Sequence, residues 1–196
     1  MLDARLAAGE LDGGAPSRLP GWTVGHVLTH LARNAASLVR AFEGAARGEV
    51  VARYPAGPAG RDADIEAGAG RPAGELLDDV RRTIWRLESA WSGHTTWDGV
   101  SREGDGLEIP IGKMPFLRWR ETEVHRVDLG LGYEPADWPS TYVRLDQREM
   151  EMRWNARRPM GMTGLPPEAL AVDPPTRLAW LLGRMTIDGL EPAGIF

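Results

Sequence analysis

Four histidines and no cysteine set the first limits on the chemistry open to this chain. Without cysteine there is no disulfide, no thiolate metal ligand and no thiol nucleophile, so any thiol chemistry needs a thiol brought from outside. The histidines divide by position. In one segment Val24, Val27, Leu28, Leu31, Ala35, Leu38 and Phe42 recur at helical spacing. Stepping about 100° per residue from Val24, they centre near 0°, His26 falls near about 200° and His30 near about 240°. His30 therefore borders the apolar stripe and His26 faces away from it. In a second segment Glu121 and His125 stand four apart on one helix face, together with Leu117, Val124 and Asp128. His94 falls in a turn-rich stretch between the two.

An acid on that second face is expensive, because burying an ionised carboxylate unpaired costs several kcal/mol. Glu121 needs a cation, a donor network or a metal. One reading supplies an arginine from a neighbouring helix. Another starts from the way helix bundles build metal sites, from inward-facing carboxylates and histidines on facing helices. His30, Glu121 and His125 would make a two-histidine, one-carboxylate set, suited to zinc with a fourth position open. Asp128, one turn beyond His125, either accepts from a ligand histidine or caps local donors. No H-E-x-x-H motif is present, which disfavours a zinc protease.

These residues depend on the elements that carry them. A helix opens after Leu19-Pro20-Gly21-Trp22 with Thr23 as N-cap and stops near Arg47-Gly48. Residues 52 to 74, rich in Ala, Gly and Pro, predict a long connecting loop. A second helix carries Leu76, Leu77, Val80, Ile84 and Leu87 on one face and runs to about Trp91. The stretch from Gly93 to Gly112 is rich in turns, with Leu107 to Ile111 as a short strand. A third helix spans about Pro115 to Leu129. Past Gly130, prolines punctuate shorter elements, with helices near 140 to 156 and 175 to 184. This division predicts a bundle over 1–131 and a reduced C-terminal subdomain over 132–196.

The 196 residues, 42% hydrophobic and 26% charged, suffice for one globular domain or one with a small appendage. Lys plus Arg number 23 against 28 for Asp plus Glu, and the net charge of -5 argues against a general nucleic-acid binder. The start lacks the basic-then-apolar order of a signal peptide, and no apolar run approaches the roughly 18 residues of a membrane span. The expected location is cytoplasmic, with neither nucleic acid nor membrane as partner.

Three separated stretches carry a resemblance. They are Leu19-Pro20-Gly21-Trp22-Thr23-Val24-Gly25-His26-Val27-Leu28-Thr29-His30-Leu31-Ala32-Arg33-Asn34, Arg61-Asp62-Ala63-Asp64-Ile65-Glu66-Ala67-Gly68-Ala69, and Arg120-Glu121-Thr122-Glu123-Val124-His125-Arg126-Val127-Asp128-Leu129. They resemble the mycothiol-dependent maleylpyruvate isomerase family, part of the DinB-like superfamily of metal-binding four-helix bundles. Arg177-Leu178-Ala179-Trp180-Leu181-Leu182-Gly183-Arg184 is similar to that family's C-terminal helix. The resemblance implies a mainly α fold, with a DinB-like bundle and a small C-terminal helical or α/β appendage. It implies His30, Glu121 and His125 as metal ligands, zinc or another divalent metal and mycothiol as cofactors, and conversion of maleylpyruvate to fumarylpyruvate by reversible thiolate addition. The substrate is a small dicarboxylate, and Arg184 is the first candidate to hold one of its carboxylates. Arg153, Arg157 and Arg158 read as a solvated cluster. Two other functions fit the same metal set: a mycothiol S-transferase acting on electrophiles, and a metal-binding bundle without turnover.

Only about 18 residues precede the Leu-Pro-Gly-Trp motif, and Gly9, Gly13, Gly14 and Pro16 break them, so the first bundle helix is expected to be short or missing. The apolar seam shared by Val24, Leu31 and Leu38 should then be partly exposed. Dimerisation over the gap, as a homodimer, or cover from C-terminal elements would close it.

Overall fold

The computed structural model describes residues 2–95, 97–103, 106–158 and 164–195. The chain forms two compact units, Met1–Gly130 and Leu131–Phe196. The first contains helices α1 (Leu2–Ala7), α2 (Val24–Ala46), α3 (Gly57–Ala69), α4 (Ala73–Ser92) and α5 (Met114–Asp128). Strands β1 (Val100–Arg102) and β2 (Glu108–Pro110) pair as an antiparallel hairpin before α5, with Ser101 opposite Ile109. No helix among the described residues is long and apolar enough to cross a membrane.

α2 is the axis of this unit, and its start explains the placement of both histidines near its N-terminus. Thr23 is extended (φ −93°, ψ 170°), and its hydroxyl accepts from the His26 N–H at 3.4 Å. His26 Nδ1 accepts in turn from the Thr23 N–H at 3.1 Å, so a histidine fills the place usually held by Glu or Gln in a capping box. With Nδ1 accepting, the ring proton is assigned to Nε2, which donates to Glu66 of α3 at 3.1 Å. His26 is thereby committed to the helix start. Along the opposite stripe Val27, Leu28, Ala35, Leu38 and Phe42 are buried against α4 and α5.

The loop expected over 52 to 74 is instead the helix α3. Its amphipathicity is faint, with only Ile65 and Ala69 buried, so no apolar period marks it. Alanines of high helix propensity and a proline in the first turn make the helix locally tolerable. The glycines that looked like breakers are what dock it. A Cβ added at Gly25 would lie 2.1 Å from the Ala69 carbonyl oxygen, and one at Gly68 would lie 2.6 Å from the Thr29 methyl. α2 and α3 therefore meet backbone to backbone, which brings Arg61 and Glu66 up to α2.

The apolar seam is also more covered than expected. Val24, Leu31 and Leu38 are all buried, because α4 runs along the length of α2. What the short α1 leaves is a groove of about 420 Å³ among Leu2, Leu28, Leu31, Val80, Ile84 and Leu129.

One charge cluster ties the unit together. Asp79 of α4 is only 4% exposed and pairs with Arg33 of α2, with Arg71 at 2.9 Å and with Arg82 at 3.1 Å. Burial alone would raise its pKa, but hydrogen bonds from Arg71 and Arg82 and the charge of Arg33 hold it below the ordinary aspartate value. Asp79→Ala is expected to cost about 2–3 kcal/mol, since it removes the shared partner of three guanidiniums, all of them partly screened by water. The pH dependence follows from the depressed folded pKa. Asp79 contributes its full stability above the unfolded value of about 3.9 and loses it as pH falls through the folded one. Urea unfolding as a function of pH should show the difference between wild type and Asp79→Asn shrinking in that acid window, and a constant difference would rule out this role.

In the second unit, α6 (Ser140–Ala156), α7 (Pro167–Ala171) and α8 (Pro174–Leu181) are the helices, with no strand among the described residues. Trp180, Tyr142, Met150 and Leu178 form its core. α8 starts at Asp173, whose carboxylate accepts from the Thr176 N–H at 3.1 Å. It ends three residues earlier than the apolar pattern suggests, because Gly183 turns to φ +70° and the Arg184 N–H reaches back to the Ala179 carbonyl at 2.7 Å.

Candidate metal centre

α2 and α5 bring together residues 91 positions apart. His30 Nε2 lies 2.8 Å from Glu121 Oε2, and His125 Nε2 lies 3.3 Å from the same oxygen. One ligand atom from each residue lies within 4.8 Å of the others. Ligand atoms arranged tetrahedrally around a divalent ion at 2.0–2.1 Å stand roughly 3.3 Å apart, so small shifts of these three side chains suffice to receive one. Beyond the triad, His125 Nδ1 lies 2.8 Å from Asp128 Oδ2, a buried carboxylate. The contact is close but is not aligned as a hydrogen bond, and a small rotation of the ring would bring the carboxylate behind Nδ1 and leave Nε2 for a metal. The His30 and His125 rings meet edge to face at 4.5 Å, and the Trp22 ring stands 5.7 Å from His30.

The electrostatics suit a cation. Burial lowers the His30 pKa and outweighs the pull of Glu121, so His30 is held in the neutral, metal-binding form. His125 resists burial because Asp128 and Glu121 raise its pKa. Burial would raise Glu121, yet its bonds to His125 and His30 keep it well below the usual carboxylate range. An ionised, half-buried carboxylate facing one protonatable imidazole is a site where a metal ion replaces a proton.

Residues 2–130 match the sequence family described as the mycothiol maleylpyruvate isomerase N-terminal domain. The chain belongs to that family. Among solved structures, a mycothiol-dependent maleylpyruvate isomerase superposes with a TM-score of 0.78 at 23% identity, covering 94% of this chain and 90% of that one. A histidine-to-alanine variant of such an isomerase gives 0.77 at 22%, with the same coverage. At these identities the likeness is one of fold, and it is the DinB-like helical bundle with a short first helix. No curated protein matches the chain.

The other residues singled out from the sequence fall elsewhere. His26 takes no part in the triad. His94 packs its ring on Phe42 at 5.1 Å. Arg184 lies in the second unit and donates from Nη1 to the Leu182 carbonyl at 2.8 Å. In the same unit Arg153 pairs with Glu149, and Arg158 lies 5.0 Å from the centre of the Trp154 ring.

Sequence reasoning missed Arg118. It is 7% exposed, and its Nη1 donates to the Leu31 carbonyl at 2.9 Å and to Asn34 Oδ1 at 2.8 Å. That clamp holds α5 on α2 one turn before Glu121. The signal was available, since Arg118 is three residues before Glu121 and seven before His125 on one face, but an arginine there reads by default as solvated.

Proposed function

We propose that the chain is a zinc- and mycothiol-dependent cis–trans isomerase that converts maleylpyruvate to fumarylpyruvate. The observation that carries this reading is the convergence of His30, Glu121 and His125 in a member of this family that has no thiol of its own. Zinc held by these residues would supply the positive charge that keeps an external thiol ionised at neutral pH. Neutral His30 and ionised Glu121 present the lone pairs, Asp128 holds the His125 ring so that Nε2 faces the same point, and Trp22 walls one side from water. An external thiol bound here would supply reversible thiolate addition to the cis double bond: the C–S bond would form as the π electrons move onto the conjugated carbonyl, and after rotation about the single bond their return would break it, giving the trans acid with the thiolate conserved.

Product analysis of zinc-loaded protein tests the reaction. Isomerisation gives fumarylpyruvate with the thiol conserved. Stoichiometric consumption of thiol would point to an S-transferase, and bound zinc without turnover on any cis-dicarboxylate or electrophile would point to a binding module.

Two side chains have defined parts in this reading. Asp128→Ala should weaken metal affinity by about 10- to 100-fold, the usual effect of losing a carboxylate behind a ligand histidine, as read by competition with a chelator. Unchanged affinity would reduce Asp128 to a local cap. Arg184, proposed on the C-terminal motif alone, binds a substrate carboxylate. Arg184→Lys should lower kcat/KM by on the order of tenfold or more without changing metal content, and full activity would place the anchor elsewhere.

A further inference from the structure

Between α2 and α3, beginning one turn along α2 from His30, lies a cavity of about 210 Å³ walled by Arg33, Arg40, Arg61, Tyr54 and Asp64, among others. Three guanidiniums against one carboxylate make it electropositive in a chain whose net charge is -5. Elsewhere in this unit Arg53 takes the Glu103 carboxylate at 2.6 Å, and Arg71 takes Asp79. Of the cavity arginines, Arg33 shares Asp79, whereas Arg40 and Arg61 have no buried carboxylate among the described residues. Arg40 reaches only the Arg53 carbonyl, at 2.5 Å, and has no carboxylate partner among the described residues. Arg61 pairs with its neighbour Asp62 at 2.8 Å, but both are exposed, and a pair of that kind is worth about 1 kcal/mol at most. Arg33 spends Nη2 on Asp79, while its Nε is buried without a partner. The Tyr54 hydroxyl adds a further donor.

Size and position give this donor cluster a use. A whole small-molecule site occupies about 300–1,000 Å³, so this cavity fits one end of a ligand. Arg33 is one turn beyond His30, a rise of about 4.5 Å along α2. The Arg61 charge is also among those acting on the His30 ring. An acid anchored here by one end would extend toward the triad.

We propose that this cavity is the subsite for one carboxylate of the substrate, with Arg61 and Arg40 as its charge partners and Arg33 Nε and Tyr54 as further donors. The assignment rests on the isomerase reading and gives its dianionic substrate an anchor on the same helices that carry the triad. Arg61 swings from Asp62 to the ligand at little cost. Asp64, in the same wall, excludes a second anion and sets the subsite to a single carboxylate.

Arg40→Gln, Arg61→Gln and the double variant test this, because both side chains are exposed enough that the fold should hold, as circular dichroism and melting will show. Binding of maleylpyruvate without thiol, measured by calorimetry on the zinc-loaded protein, should weaken about tenfold in each single variant and about a hundredfold or more in the double one. Zinc content should stay at the wild-type level, and Arg61→Lys should recover part of the loss. Binding by the double variant within twofold of wild type overturns the subsite. Arginine-dependent binding without thiol-dependent turnover would keep the subsite and overturn the isomerase. Normal turnover with an unchanged KM in the double variant would do the reverse.

Discussion

Protein carrying His125→Ala should emerge from purification nearly free of metal and with isomerisation at background, while its helical content stays that of the wild type. The wild type should hold close to one divalent ion per chain. Metal sites built from four ligands bind with about 10–16 kcal/mol, so each ligand is worth on the order of 3–4 kcal/mol, and losing one weakens affinity by a factor of roughly 10²–10³. His125 carries more than an average share, because the Asp128 carboxylate lies 2.8 Å behind its ring. The loss also leaves the half-buried Glu121 with a single imidazole partner. His26→Ala is the control. His26 is only four residues before His30, but it is occupied with Thr23 and Glu66, so the variant should keep its metal and lose only some stability of the α2 start. Metal analysis by mass spectrometry decides. Full occupancy in His125→Ala would remove the site, and loss of metal in His26→Ala would mean that the wrong histidine had been chosen.

Omitting mycothiol should reduce turnover to the uncatalysed rate with the metal still in place. This follows from an absence that is certain, because the sequence contains no cysteine and so no thiol of its own. Rotation about a carbon–carbon double bond needs the bond order to fall, and reversible addition of a nucleophile is how this reading achieves it. Serine or histidine would be a poor substitute, since neither is as nucleophilic near neutral pH as a thiolate. Following maleylpyruvate and fumarylpyruvate by chromatography, with and without mycothiol, gives the answer. Equal rates in both arms would be fatal to the mechanism.

How much of this was legible in the sequence depended on how strongly each segment repeats. α2, α4 and α5 carry apolar residues at helical spacing on one face, and their extents were readable to within a few residues. Thr23 marked the start of α2 by side-chain capping, a local effect, whereas the positive φ of Gly183 ended α8 before the apolar pattern did. The wheel alone placed His30 at the edge of the buried stripe and His26 off it, and in the structure His30 sits against Glu121 while His26 turns to Glu66. α3 was illegible for a physical reason. It buries two residues, so it has no stripe, and it is held by close backbone contact, which leaves glycine as its only trace in the sequence. The partners of Asp79 were equally hidden, since Arg33, Arg71 and Asp79 become neighbours only once three segments have packed.

The contact between α2 and α3 leaves no room for adjustment. Most helix pairs are spaced by side chains, and exchanging a larger one for a smaller one lets the helices slide or tilt. Here carbonyl oxygen and glycine Cα are the spacers, and neither can be made smaller. The point at which α3 rests on α2, Gly25 against Ala69, is therefore fixed, so the way α3 presents Arg61 cannot drift by gradual repacking there. A change in the arginine cavity would have to come in discrete steps, by exchanging whole side chains such as Arg40, Tyr54 or Arg61 around a pivot that does not move.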